Sequence, residues 1–156
     1  CFDFIRQYDV NVKVVRIFNT YGPYLKKGDG RVVSNFIYQS LKNKNITIFG
    51  TGNQTRSFCF VDDLIKALIK TTKTQKSFNG PVNLGNPHEI SINKLAKTII
   101  KLTKSSSKLI YKNLPEDDPE KRKPNINLAR KTLNWKPDTG LNSGLIQTIE
   151  YFKSII

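Results

Sequence analysis

The stretch Val12 to Phe18 (VKVVRIF) is rich in β-branched residues, and the segment Asn19 to Gly30 (NTYGPYLKKGDG) stops it abruptly. Stiff, branched side chains suit a pleated surface, so the run reads as a buried strand. The Gly-Pro and Gly-Asp-Gly elements behind it forbid regular structure. Then the period changes. Between Val32 and Lys42 the apolar residues Val33, Phe36, Ile37 and Leu41 recur at helical spacing. A chain that must place a short buried strand, a tight turn and an amphipathic helix in succession is confined to a layered α/β arrangement.

The rest of the chain repeats the pattern. Ile46 to Phe49 reads as a short strand, Gly50 to Asn53 as a tight turn, and Arg56 to Phe60 as an extended run. Val61-Asp62-Asp63 opens a helix through Leu64, Ala67 and Leu68, with carboxylates in the first turn where the helix dipole favours them. Pro81 to Leu84 is a short strand. Ser91 caps a helix to about Leu102, with Ile92, Leu95, Ile99 and Leu102 on one face. Lys108 to Tyr111 is a strand and Asn113 to Lys123 a polar, charged loop. Asn125 to Leu133 and Asn142 to Ile155 are helices, and Phe2, Phe4 and Ile5 resemble the tail of another.

The 156 residues suffice for one domain with its own core. The apolar runs, such as Val14-Val15 and Ile99-Ile100, are too short to cross a bilayer, so no membrane span is expected in this segment. The net charge of +14 admits nucleic acid, an anionic membrane surface or anionic small substrates as partners. The lysines are scattered, and only Lys26-Lys27 and Lys121-Arg122-Lys123 cluster. With no RNP-like aromatic motif, zinc finger or basic arm, an anionic small ligand is expected and nucleic acid is not. Cys1, Cys59 and the single His88 form no metal-ligand spacing. Cys59, between Phe58 and Phe60, reads as a buried free thiol, which fits a reducing, cytoplasmic compartment. The chain starts at Cys1 and contains no Met, so it is expected to be a segment of a longer protein.

No glycine-rich dinucleotide turn, Gly-x-Ser-x-Gly elbow or His-Glu-x-x-His occurs. Tyr38 and Lys42 have the spacing of a Tyr-x-x-x-Lys pair, but they follow the Val12–Phe18 strand instead of preceding it, and read as structural. Four segments bring polar groups to the ends of regular elements. Arg16 to Pro23 (RIFNTYGP) is a strand ending in a polar turn, where open α/β sheets gather binding residues. Asp29 to Phe36 (DGRVVSNF) sets an arginine and an amide at a helix start, which favours anions. Gly50 to Phe58 (GTGNQTRSF) pairs a glycine turn with Arg56, whose guanidinium can grip a phosphate through two parallel bonds. Asp117 to Pro124 (DDPEKRKP) holds Arg122 between two prolines, where it could close over a diphosphate. Each also has a plain structural reading as a turn, cap or solvated loop.

Taken in order with FVDDL, VNLGNP and the final LNWKP, these segments resemble the C-terminal half of the UDP-glucuronate decarboxylases (UDP-xylose synthases), within the extended short-chain dehydrogenase/reductase family. RxxNxYGP is shared with dTDP-glucose 4,6-dehydratases and nucleotide-sugar 4-epimerases, which are the alternatives; DGRVVSNF with GNQTRSF and DDPEKRKP is the narrower combination. The resemblance covers nearly the whole chain. It implies the end of a Rossmann-type parallel sheet plus a small mixed α/β substrate-binding lobe, with residues 1–156 as the C-terminal portion of the domain. Strands Val12–Phe18 and Pro81–Leu84 should then lie in a parallel sheet that continues the Rossmann sheet of the complete enzyme. The strands near Ile46 and Lys108 should join the C-terminal helices, and an apolar face should stay exposed where the rest of the sheet is missing.

The resemblance also implies roles. Asn19, Asn35, Thr47, Phe49, Arg56, Asp118 and Arg122 would bind the nucleotide sugar, with Phe49 against the uracil and the two arginines on the diphosphate. Thr20 and Arg31 would lie on the NAD side, and Arg31, Arg56 and Arg122 would converge on one cleft. In such enzymes NAD takes hydride from C4 of UDP-glucuronate, the β-keto acid loses carbon dioxide, and hydride returns to give UDP-xylose. The Tyr-x-x-x-Lys pair and glycine-rich turn would lie upstream of Cys1, and the complete enzyme would be a homodimer. A non-catalytic binding module lacking that half is the reading from another class. Without an acid–base pair and a hydride-acceptor site, the isolated chain is expected to release no UDP-xylose from UDP-glucuronate, and a product assay on these 156 residues checks this.

Overall fold

A computed structural model of the chain describes residues 1–26, 28–113 and 121–156, with the backbone alone at Lys121 and Arg122. The elements run α1 (Phe2–Tyr8), β1 (Val15–Ile17), β2 (Thr20–Tyr21), α2 (Val32–Leu41), β3 (Ile46–Phe49), β4 (Thr55–Ser57), β5 (Cys59–Phe60), α3 (Val61–Thr72), β6 (Val82–Leu84), β7 (Glu89–Ser91), α4 (Ile92–Thr103), β8 (Leu109–Lys112), β9 (Lys121–Arg122), α5 (Asn127–Leu133) and α6 (Leu141–Ile155). The predicted helices and main strands are present. β2, β7 and β9 are additions of two or three residues, too short for any periodicity to show.

The strand pairs are mostly parallel. β1 lies beside β6 with Val15 opposite Val82, β2 beside β5, and β3 beside β8 with Ile46 opposite Leu109. β4 is the middle of three, antiparallel to β7 and parallel to β9. Parallel neighbours need a crossover, and the amphipathic helices supply it. The strand expected over Val12–Phe18 is regular only at Val15–Ile17 and does pair in parallel with the Val82–Leu84 strand.

Two cores form. Ile46 and Ile48 of β3 are fully buried among Phe36 and Ile37 of α2, Leu95 and Ile99 of α4, and Leu145 and Phe152 of α6. Val82 and Leu84 of β6 pack with Leu64 and Ala67 of α3, Ala129 and Leu133 of α5, and Trp135. The C-terminal helices therefore separate. α6 joins the β3–β8 lobe as expected, whereas α5 packs on β6 and α3, because its apolar Ala129 and Leu133 meet the face of the parallel pair. Phe4, Tyr8 and Ile17 stay exposed, and Ile17 sits on β1, which has only β6 as a partner among the described residues.

Asp63 ties the two cores together. Its fully buried side chain stands in the first turn of α3, and Oδ2 accepts the backbone N–H groups of Asp138 (3.2 Å) and Thr139 (2.9 Å), just before α6. The Trp135 indole donates to the Asp63 carbonyl at 3.0 Å. Lys66 Nζ lies 3.6 Å from Oδ1 and 3.5 Å from Asp138. Burial pushes the Asp63 carboxyl above the ordinary carboxylate range, while hydrogen bonding and Lys66 hold Asp138 below it.

Cys59 is fully buried and free, as its apolar neighbours suggested, while Cys1 is exposed. Burial, aided by the Asp63 charge, pushes the Cys59 thiol up to about 12. The native state thus holds this proton more tightly than the unfolded chain. The stability this confers is complete below the thiol's ordinary range and is lost as pH rises from there toward about 12. Iodoacetamide at neutral pH is expected to label Cys1 alone in the folded protein and both thiols in urea. Denaturation midpoints should fall more steeply with alkaline pH in the native sequence than in Cys59→Ala.

Candidate functional site

The local geometry of β3 organises one concave surface. Ile46 and Ile48 point into the core, so Thr47 and Phe49 face outward, and Phe49 is 48% exposed. In a parallel ladder, alternate residues turn both backbone groups to the partner. Ile46 and Gly50 donate to the carbonyls of Lys108 and Lys112 on the β8 side. Thr47 and Phe49 therefore turn their N–H and C=O groups to the opposite edge, which no strand covers among the described residues. Two carboxamides meet that edge: Gln39 Oε1 accepts the Thr47 N–H at 3.2 Å, and Gln54 Nε2 donates to the Phe49 carbonyl at 2.6 Å.

A cavity of about 460 Å³ opens along this edge, lined by Gly30, Asn35, Gln39, Thr47, Phe49, Gln54, Arg56 and Lys112 among others. Four predicted binding residues, Asn35, Thr47, Phe49 and Arg56, come together here from α2, β3 and β4. Gln39, Gln54 and Lys112 were not foreseen. Gln39 lies one helical turn beyond Asn35, so one face of α2 carries two carboxamides, a signal the spacing did contain. Lys112 stands opposite Phe49 on β8, and only strand pairing brings it there.

Arg56 is 7% exposed, because β4 is flanked by β7 and β9. Its Nη1 donates to the Thr55 carbonyl at 2.8 Å, which anchors one side of the guanidinium plane. In β9, Arg122 lies directly opposite Arg56. The fold thus aligns the backbones of two predicted phosphate-binding arginines, although the Arg122 side chain is outside the described residues, as is the whole of Asp118.

The remaining predicted residues lie elsewhere. Arg31 precedes α2, is largely exposed and pairs with Asp29 at 3.4 Å; its neighbours Gly30 and Val32 line the cavity, but Arg31 does not. Asn19 accepts the Cys59 N–H through its carbonyl at 2.9 Å. Thr20 donates its hydroxyl to the Phe18 carbonyl at 2.9 Å. Neither touches the cavity. Tyr38 packs against the core, and Lys42 Nζ approaches the carbonyl of Ile156 at 3.4 Å, as the structural reading of that pair requires. A larger cavity of about 900 Å³ runs between His88, α4 and the start of α6 and contains none of the predicted residues.

The turn after β3 is held by α4. Asn93 donates its backbone N–H to the Gly52 carbonyl at 2.9 Å and its Nδ2 to the Thr51 carbonyl at 3.0 Å; the Tyr111 hydroxyl donates to Asn93 Oδ1 at 3.1 Å. Gly52 has φ +74, and a Cβ there would run into the Asn93 carboxamide. Gly52→Ala is expected to cost about 1–3 kcal/mol, from left-handed strain and the displaced Asn93. Urea denaturation measures the loss, and Gly28→Ala, at φ +73 but with open space, should cost less.

The profile of the NAD dependent epimerase/dehydratase family matches residues 1–85. UDP-glucuronic acid decarboxylase 1 of Xenopus tropicalis is 44% identical over 98% of this chain, and UDP-glucuronic acid decarboxylase 6 of Arabidopsis thaliana 42% identical over 97%. The chain spans only 36% and 44% of the length of these two relatives. Two solved structures superpose with TM-scores of 0.92. The UDP-glucose 4-epimerase of Thermotoga maritima with UDP-glucose is 29% identical, with 98% of this chain and 49% of that one covered. The UDP-glucuronic acid 4-epimerase of Bacillus cereus in complex with UDP-glucuronic acid and NAD is 26% identical, with 100% and 49% covered. With more than half of its residues matched by that family's profile, and with parallel strand pairs joined by helices, this chain belongs to the NAD dependent epimerase/dehydratase family.

Proposed function

We propose that residues 1–156 are the substrate-binding portion of a UDP-glucuronate decarboxylase. The observation that carries this reading is the open edge of β3. Between the two glutamines it turns one acceptor, the Thr47 carbonyl, and one donor, the Phe49 N–H, into a cavity with an exposed phenyl ring and a buried arginine. The imide edge of uracil offers the complementary N–H and C=O. The Phe49 ring supplies an apolar wall for the base. Arg56, with Arg122 beside it in register, holds the diphosphate. Burying that dianion without cationic partners would be prohibitive, and guanidinium forks neutralise it directionally. Asn35 lines the nucleotide pocket, Asn19, which lies outside that cavity, bonds the sugar or diphosphate region beyond it, and Asp118 orients the ribose or Arg122.

The decarboxylase reading is favoured over a 4-epimerase or dTDP-glucose 4,6-dehydratase by sequence distance. Relatives named as decarboxylases are 41–44% identical, against 26–29% for the two epimerases above. The chain's residues fit only the margin of a dinucleotide site. The Thr20 hydroxyl keeps acceptor capacity, and Arg31 offers a guanidinium at a helix start, but no glycine-rich turn is present to enclose a pyrophosphate. Bound in the complete enzyme, with Thr20 and Arg31 at the margin of its site, NAD would supply the hydride-acceptor and hydride-donor chemistry at C4. This chain's part is to hold the nucleotide so that C4 and the carboxylate are presented correctly. The complete enzyme is a cytoplasmic homodimer in this reading.

Arg56→Lys keeps a charge but removes the fork. In the full-length protein it should weaken UDP binding by about tenfold, equivalent to about 1.4 kcal/mol, and leave uridine binding unchanged. Calorimetric titration with both ligands decides it. Equal UDP affinity in the two proteins removes the diphosphate role.

A further inference from the structure

We propose that Gln39 and Gln54 are positioning residues that select the base, by occupying the outer two of four backbone groups along the open edge of β3. The inference rests on the nucleotide reading of this cavity. The order along the edge is Thr47 N–H, Thr47 C=O, Phe49 N–H, Phe49 C=O. The first is taken by Gln39 Oε1 at 3.2 Å, and Gln39 Nε2 also reaches Thr47 Oγ1 at 3.4 Å. The last is taken by Gln54 Nε2 at 2.6 Å. Only the inner acceptor–donor pair faces the cavity, so a planar ligand docks in one register.

That register discriminates. With the ribose and diphosphate fixed, a uracil N3–H meets the Thr47 carbonyl and a uracil carbonyl meets the Phe49 N–H. Cytosine in the same pose turns its unprotonated N3 to the Thr47 carbonyl, acceptor against acceptor. It could recover only by sliding one group along the strand. There it meets groups the glutamines already hold, and displacing either amide leaves a polar group unpaired, which costs more than the new contact returns. Neither glutamine need touch the base, since each acts through the backbone group it holds. The chemistry of the two amides is opposite: Gln39 works as an acceptor, Gln54 as a donor.

The test uses the full-length protein and the ratio of UDP to CDP affinity, measured by calorimetry. The native protein should prefer UDP. Gln39→Leu and Gln54→Leu should each lower the UDP:CDP ratio at least fivefold, with CDP affinity rising or holding while UDP affinity falls. Gln39→Glu still offers an oxygen to the Thr47 N–H and should retain the ratio. Gln54→Glu sets an acceptor against the Phe49 carbonyl and should lose it. Should a leucine variant fail to fold, the two near-isosteric glutamate variants carry the test, because a purely structural role predicts no such split. A UDP-selective native protein whose ratio survives in all four variants, or whose two affinities fall together, overturns the inference alone. A native protein that binds CDP as well as UDP overturns the base reading, and the inference with it.

Discussion

The buried carboxylate of Asp63 is the constraint on which the arrangement rests. It sits in the first turn of α3, among the residues that pack on the β1–β6 pair, and accepts two backbone N–H groups from the segment that leads into α6. One side chain thereby joins the core of the parallel pair to the core under β3. Removing that buried acceptor takes a hydrogen bond from each of two backbone amides at once. The seat of α6 on α2 and α4 depends on that junction, and those helices bury the inner face of β3.

From there the site follows by elimination of partners. Among the described residues β3 has β8 on one side and helices beneath, so its other edge is the surface left to bind with. An open strand edge is ordinarily a liability, because it invites pairing with another chain. Here two carboxamides cap half of it, and the remaining carbonyl and N–H become a recognition surface of fixed geometry. Recognition by backbone is rigid, since a strand pinned by Ile46 and Ile48 in a core cannot adapt as a flexible side chain would. Arg56 follows the same logic. Its place in the middle strand of three, with one nitrogen tied to the Thr55 carbonyl, aims the guanidinium at little entropic cost.

Much of this was legible in the residues. The switch from strand to helical period located α2, α4 and α6 to within one or two positions, because each carries an apolar stripe, and placed the start of α3, whose last turn to Thr72 extends beyond the Leu64, Ala67 and Leu68 stripe. β3 was read at its true bounds, since Ile46-Thr47-Ile48-Phe49 lies between turns that punctuate it. Asn35, Thr47, Phe49 and Arg56 were named in advance and share one cavity. Gln39 and Gln54 were not singled out, although both stand inside motifs that were. A glutamine is unremarkable until a backbone group without a ladder partner is found beside it. Lys112 was invisible, because its relation to Phe49 is one of register between strands more than sixty residues apart. The separation of α5 from α6 was also missed: two amphipathic helices in succession do not say which layer each will cover.

The chain by itself determined the kinds of element, their order, the excess of cationic side chains and the membership of a family, all of which are written in local period and motif. Tertiary structure alone decided which edge of β3 stayed open, which backbone groups on it were already spoken for, and which of several arginines faced the cavity. The physical reason is one of range. Periodicity and turn chemistry act over a few neighbouring residues, whereas a strand edge is defined by what fails to pair with it, and that is settled only when the whole sheet has formed.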